Sequence, residues 1–323
     1  MDFPVMLDAI REAARRIRGV ARVTPLIDVP AGLVPFRLLL KCENLQQTGA
    51  FKIRGAYNLM ARLVERDPGC RGVITYSSGN HGLAVAYAAR LLGLRAVVVM
   101  PTTASPMKAE GARRLGAEVL FEGLTTIERK ARAEAEAAAR GLAIVPPFDH
   151  PDVMAGQGTV GLEILEQCPD VALVYVQVSG GGLISGIASA VKALSPSVRI
   201  VGVEPSGAPK ATASLRAGRP VTLERTSSIA DGLLAVRPGD LTFPVIQALV
   251  DEVVTVEDAA IVEALRWLFR EAKLVVEPSG AITVAAALAR AGRAAVADDR
   301  PVVALLSGGN VAPEAYATYL TGE

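Results

Sequence analysis

Apolar residues recur along this chain with two alternating periods, and the alternation predicts its architecture. In residues 5–19, Leu7, Ile10, Ala14 and Ile17 share helical spacing while Arg11, Arg15 and Arg16 fall elsewhere, which predicts a packing helix. Thr24-Pro25-Leu26 opens an extended segment, and 36–41 reads as a strand that delivers Glu43 and Asn44. Helices are expected over 53–63, 83–92, 107–115 and 126–139, and strands over 72–76, 96–100, 118–121 and 142–146. A second series follows Phe148-Asp149-His150-Pro151: helix 158–166, strand 172–178, a further helix, and strand 199–203. Residues 205–240, rich in Gly, Pro, Ser and Arg, read as irregular; helices 258–269 and 281–291 and strand 302–306 close the series. Apolar strands alternating with helices at this spacing predict parallel sheets covered on both faces. Two α/β lobes with a small-molecule cleft between them is the expected fold.

Composition narrows the function classes. The 34 basic and 33 acidic residues nearly cancel, so there is no electrostatic argument for nucleic acid or a membrane surface. No apolar run reaches the length of a membrane span, and Met1-Asp2-Phe3-Pro4 lacks the layout of a signal peptide, so a cytoplasmic protein is expected. Cys42, Cys70 and Cys168 are widely spaced and odd in number, which predicts neither a disulfide framework nor a zinc site.

The chemistry centres on Gly49-Ala-Phe-Lys-Ile-Arg-Gly-Ala56. The chain has seven lysines against 27 arginines, and Lys52 stands between Phe51 and Ile53. An amine in apolar surroundings is harder to charge, so its pKa falls and the free base becomes a nucleophile toward carbonyls. Gly180, Gly181 and Gly182 lie between a very apolar strand and a helix, where bare amides and the helix dipole make an anion site that a phosphate would fit. A dinucleotide fold is the rival reading, because Glu204 ends the next strand about where a ribose-binding acid would lie. The spacing Gly180-x-Gly182-x-x-Ser185-Gly186 misses the third glycine of that fingerprint by one place. Ser77-Ser78-Gly79-Asn80-His81-Gly82 also joins strand to helix. Its hydroxyls and helix-start amides could hold a carboxylate and the Asn80 amide a ring hydroxyl, or Ser78 or Asn80 could simply cap the helix. His81, without a metal-ligand partner, reads as positional. Ser307, after the last strand, directs a hydroxyl toward the same cleft and could bond a pyridine nitrogen without protonating it.

This combination resembles the pyridoxal-phosphate enzymes of the threonine/serine dehydratase and serine racemase family, of fold type II (tryptophan-synthase-β-like). The resemblance runs from Thr24-Pro25-Leu26 to Ser307-Gly308-Gly309-Asn310. It implies a large cofactor-binding domain of residues 1–50 and 148–323 and a small domain of residues 51–147. It also implies that Lys52 links covalently to pyridoxal 5'-phosphate beside Phe51, that Asn80 bonds the cofactor's 3-hydroxyl, and that Ser307 faces its ring nitrogen. Ser179, Gly180, Gly181, Gly182 and Leu183 would hold the phosphate through backbone amides; Ser77, Ser78, Gly79, Asn80 and His81 would take the substrate carboxylate. Asp231, Gly232 and Glu277 match positions near the cofactor, without a firm role. The implied activity is dehydration and deamination of L-threonine or L-serine to a 2-keto acid and ammonia by a cytoplasmic homo-oligomer.

Three features qualify the resemblance. Ser78 is the residue type of the racemase branch, where it is an acid or base opposite the lysine, so amino-acid racemisation is the alternative. Glu204 and Ala208 match that branch's divalent-metal site, but the expected carboxylate is Lys210, and an ammonium cannot ligate a hard cation, so no metal is expected. Residues 229–243 resemble dehydratase-like proteins linked to hydroxyectoine breakdown, which keeps a less usual β-hydroxy amino acid open as substrate.

Overall fold

Strands buried on both faces carry unbroken apolar runs, and the strongest such runs of this chain become the centres of two sheets. A computed structural model describes residues 5–77, 79–104, 106–291 and 300–322. Ten strands occur among them: β1 (Leu26–Asp28), β2 (Leu38–Lys41), β3 (Gly72–Tyr76), β4 (Arg95–Met100), β5 (Glu118–Phe121), β6 (Ala143–Ile144), β7 (Leu173–Gln177), β8 (Arg199–Pro205), β9 (Glu252–Val256) and β10 (Val302–Leu305). The larger sheet has the order β1-β2-β10-β7-β8-β9 and the smaller β5-β4-β3-β6. All pairings are parallel except that of β1 with β2 at one edge, where Leu26 faces Lys41.

The alternation of side chains across a strand sorts the core. In β7, Leu173 and Tyr175 pack with Ile261, Leu265 and Ile282 on one face, while Val174 and Val176 pack with Val160, Ile184 and Ile187 on the other. In the smaller sheet, Val73 and Val98 face Ile53, Met60 and Ala84, whereas Ile74, Val97 and Val99 face Ala133 and Ala137. Both sheets are therefore helix-covered on both faces.

Three expectations are corrected. The helix expected over 158–166 begins seven residues earlier, as Pro151–Gln167, with His150 as its cap and Pro151 in its first turn. Its glycines are contact points rather than breakers: a Cβ on Gly156 would lie 2.5 Å from the Arg54 carbonyl oxygen, and one on Gly158 2.8 Å from that of Gly186. The stretch 205–240 is not wholly irregular, since Lys210–Ala217 is helical and Asp231–Leu233 forms a 3-10 turn. The helix expected over 83–92 is Asn80–Leu92, so Asn80 and His81 stand in its first turn rather than in the loop before it. Helix Thr242–Leu249, strand β9 and helix Pro313–Thr321 are additional to the sequence reading.

Candidate active site

Lys52 opens helix Lys52–Arg66, and the residues before it are stitched to the end of β10. The Phe51 amide donates to the Ser307 carbonyl at 3.1 Å, and Ala50 bridges to Gly308. The lysine is thereby fixed at the seam between the two sheets. Its Nζ donates to the Pro147 carbonyl at 2.8 Å and lies 5.1 Å from the centroid of the Phe51 ring. Burial lowers its pKa to about 8, against the opposing pull of Glu277.

Behind Lys52 lies a buried ionic cluster. Arg54 Nε donates to Glu43 Oε2 at 2.8 Å and Nη1 to Glu163 Oε1 at 2.6 Å; Lys41 Nζ reaches Glu163 Oε2 at 2.6 Å. Two cations and two carboxylates balance within the cluster, which joins β2, the lysine helix and helix Pro151–Gln167.

On the opposite side, Asn80 Nδ2 donates to Glu277 Oε1 at 2.7 Å, and Asn310 Nδ2 donates to Asn80 Oδ1 at 2.8 Å. Glu277 is buried. Loss of water pushes its carboxyl up to about 8, nearby Asp231 adds to the shift, and Asn80, Lys108 and the Asn310 amide pull the other way. Glu277 and Asn310 thus both bond Asn80, although sequence reasoning assigns Glu277 no firm role and Asn310 only a place in the closing motif. His81 is buried, its Nε2 lies 3.1 Å from the Val145 carbonyl, and burial lowers its pKa to about 3, which fits a positional residue and not a base. The helix start carries Gly79 at its cap with no side-chain cap bond, so Asn80 is free of that duty. The Gly79 amide donates to Ser77 Oγ at 3.3 Å. Ser78 lies outside the described residues. Lys108 reaches across from the smaller sheet's side to Asp231 Oδ2 at 2.6 Å.

The glycine loop is a cradle in which side chains do not fit. A Cβ on Gly180 would lie 2.4 Å from the Phe148 ring, one on Gly182 3.0 Å from Phe148, and one on Gly181 2.7 Å from Thr242 Oγ1. Gly181 also has φ +99°, a conformation that side chains disfavour. Helix Gly182–Leu194 starts there without a side-chain cap, leaving its first amides for a ligand. Ser179 precedes the cradle, Leu183 lies in the helix's first turn, and Ser307 is buried at the end of β10. A bare-amide cradle and a pKa-lowered lysine are what a phosphorylated aldehyde requires, so the donor set fits pyridoxal phosphate. Glu204, by contrast, is buried and accepts from the Ala211 and Thr212 amides at 2.9 and 2.8 Å, so it has no face for a ribose and the dinucleotide reading falls.

Comparison with known proteins agrees. A model of the family described as "Pyridoxal-phosphate dependent enzyme" matches residues 17–308. A serine racemase of Oryza sativa subsp. indica is 42% identical over 309 residues, 94% of this chain and 91% of the relative. An L-threonine ammonia-lyase of Geobacter sulfurreducens is 46% identical over 305 residues, 94% of this chain and 75% of the relative. The structure of maize serine racemase superposes with a TM-score of 0.93 at 40% identity, covering 99% of this chain and 98% of that one. The chain belongs to the pyridoxal-phosphate dependent enzyme family, with the type II fold. No helix among the described residues is long and apolar enough to cross a membrane.

Proposed function

We propose that this enzyme is an ammonia-lyase that dehydrates and deaminates L-threonine or L-serine. The observation that carries the reading is Lys52, an amine held near pKa 8 at the seam of the two sheets. Elimination needs one base on one face of the substrate's α-carbon, and Lys52 supplies it. Racemisation needs a second proton carrier on the opposite face. The similarity to the Geobacter L-threonine ammonia-lyase supports the same reading.

Bound pyridoxal phosphate would supply an electron sink for the substrate's α-carbon. In the proposed arrangement Lys52 would hold the cofactor, and its Nζ would take the substrate's α-proton. The amides of the 179–183 loop would hold the phosphate, Asn80, braced by Glu277 and Asn310, would meet the ring hydroxyl, and Ser307 would face the ring nitrogen. The loop from Ser77 to His81 takes the substrate carboxylate, the His81 contribution coming from its backbone because its ring is turned to Val145. Loss of the α-proton and the β-hydroxyl releases water, and hydrolysis then gives the 2-keto acid and ammonia. Residues 51–147 would form the small lobe and 1–50 with 148–323 the large one, a division supported by the ranges from which the two sheets are drawn. A cytoplasmic homo-oligomer belongs to the same reading.

The test is the visible spectrum of the purified protein before and after L-threonine or L-serine, with keto acid and recovered-substrate chirality assayed together. Keto acid with a changed cofactor band supports the lyase; a changed band with scrambled chirality and no keto acid supports a racemase. The racemase is the second reading, favoured by serine at position 78 and by the rice relative. In that reading Ser78→Ala should lose racemisation, and a variant that kept it in full would remove Ser78 as the second proton carrier. A less usual β-hydroxy amino acid is tested by the same keto-acid assay.

A further inference from the structure

Lys210 is a lysine with no exposed surface. Its Nζ donates to three backbone carbonyls, Val178 at 2.8 Å, Leu233 at 2.9 Å and Ala208 at 3.1 Å, and lies 3.5 Å from Glu204 Oε2. Three N–H donors meet three oxygens, and the nearest carboxylate is already held by two helix amides. An ammonium loses much hydration free energy on burial, so a site of this kind persists only where the surrounding oxygens replace water around it. The oxygens come from three separate places. Val178 immediately precedes the 179–183 loop. Leu233 closes the turn Asp231–Leu233, whose Asp231 receives Lys108 and whose Gly232 amide donates to Ser279 Oγ at 2.9 Å. Ala208 belongs to the turn that leads into helix Lys210–Ala217.

We propose that position 210 is a cation site filled by the chain's own lysine, whose ammonium locks the root of the glycine loop to the Asp231 turn and so positions the loop for a phosphate. Lys210 is a positioning residue: it touches neither substrate nor cofactor but acts through Val178 and Leu233. The oxygens around Nζ suit a small cation of any kind, so the site should accept another cation when the lysine is cut away. Divalent ions should have nothing to add while Lys210 is present, because the ammonium occupies the place where the oxygens converge. The effect on phosphate rests on the proposed role of the 179–183 loop; the effect on the cation does not.

The test compares wild-type protein, Lys210→Ala and Lys210→Asp, each freed of cofactor. Titration with pyridoxal phosphate and with pyridoxal, followed by fluorescence, reads the contribution of the phosphate alone. Lys210→Ala should bind pyridoxal phosphate at least about tenfold more weakly while binding pyridoxal nearly as before. Ammonium or methylammonium chloride should restore it, and tetramethylammonium chloride at the same ionic strength should not. Lys210→Asp, with Glu204 beside it, should melt higher when Ca²⁺ or Mg²⁺ is added, whereas the wild type should be indifferent to either ion and to chelator. Should Lys210→Ala not fold, the cation-dependent melting of Lys210→Asp carries the test. The proposal is overturned if both aldehydes weaken equally, if tetramethylammonium rescues as well as ammonium, if Lys210→Asp ignores both divalent ions, or if the wild type requires one. A wild-type protein that binds no pyridoxal phosphate would instead sink the proposed function, and the melting response would still judge the cation site.

Discussion

Asn80 and Glu277 are 197 positions apart in the chain, yet Asn80 Nδ2 lies 2.7 Å from Glu277 Oε1. Asn80 begins a helix of the smaller sheet's layer and Glu277 immediately precedes helix Pro278–Ala291 of the larger one. Burial raises the Glu277 carboxyl to about 8, so it resists ionising beside the amide.

That raised pKa makes stability depend on pH with a definite sign. The folded pKa lies above the unfolded one, so the contribution is complete below the ordinary carboxyl value of 4.5 and is lost as pH rises toward about 8. The full loss is on the order of 5 kcal/mol. Cofactor-free Glu277→Gln, which cannot ionise, should lose less stability over that window than the wild type in denaturant titrations. An equal loss in both would show that Glu277 ionises freely in the fold.

His81 gives the opposite slope. Its folded pKa is lowered to about 3 from 6.5, so its contribution is present above 6.5 and is lost as pH falls toward 3. The loss by the low end is roughly 4 kcal/mol. His81→Leu should flatten that part of the curve, and the Val145 carbonyl would keep its bond from Thr75 Oγ1 at 2.8 Å. Melting temperature against pH for the two proteins decides it.

Removal of the lysine amine should abolish the chemistry. Lys52→Ala is expected to lose at least about 10³-fold in turnover, in line with the loss of a residue that is both nucleophile and base. Borohydride treatment of the wild type followed by peptide mass mapping should place the cofactor on Lys52; attachment elsewhere would contradict the site.

The buried cluster behind the lysine predicts a stability effect. Glu163→Gln leaves Arg54 and Lys41 with Glu43 as their remaining carboxylate partner in the cluster, and the cost should be about 3–5 kcal/mol. Glu65→Gln, which removes an exposed partner of Arg16, should change stability by less than about 1 kcal/mol. Chemical denaturation of both variants checks the contrast, and a small effect at Glu163 would mean that water enters the cluster.

Much of this site was legible because its signals are local. Lys52 in its apolar run, the three glycines after an apolar strand and Ser307 after the last strand each announce themselves within a few residues. Glu277 and Asn310 do not, because what matters is their meeting with Asn80 across the two sheets. Helix Lys210–Ala217 was missed for a similar reason: the carboxylate that holds its first amides is Glu204, delivered from β8 rather than from the preceding turn. Propensity likewise misled at Gly156, where tertiary backbone contact outweighs the conformational cost of glycine in a helix.

Strand β10 lies between β2 and β7 in the larger sheet, and it is the latest of the described strands in chain order. During synthesis from the N-terminus, β2 and β7 emerge long before the strand that separates them. Until then each presents an unpaired apolar edge, the kind of surface that invites wrong partners. Ser307, Gly308 and Asn310 follow β10 directly, so the proposed cofactor site cannot be finished until that gap is closed. Completion of the larger sheet is therefore expected to be a late step in folding.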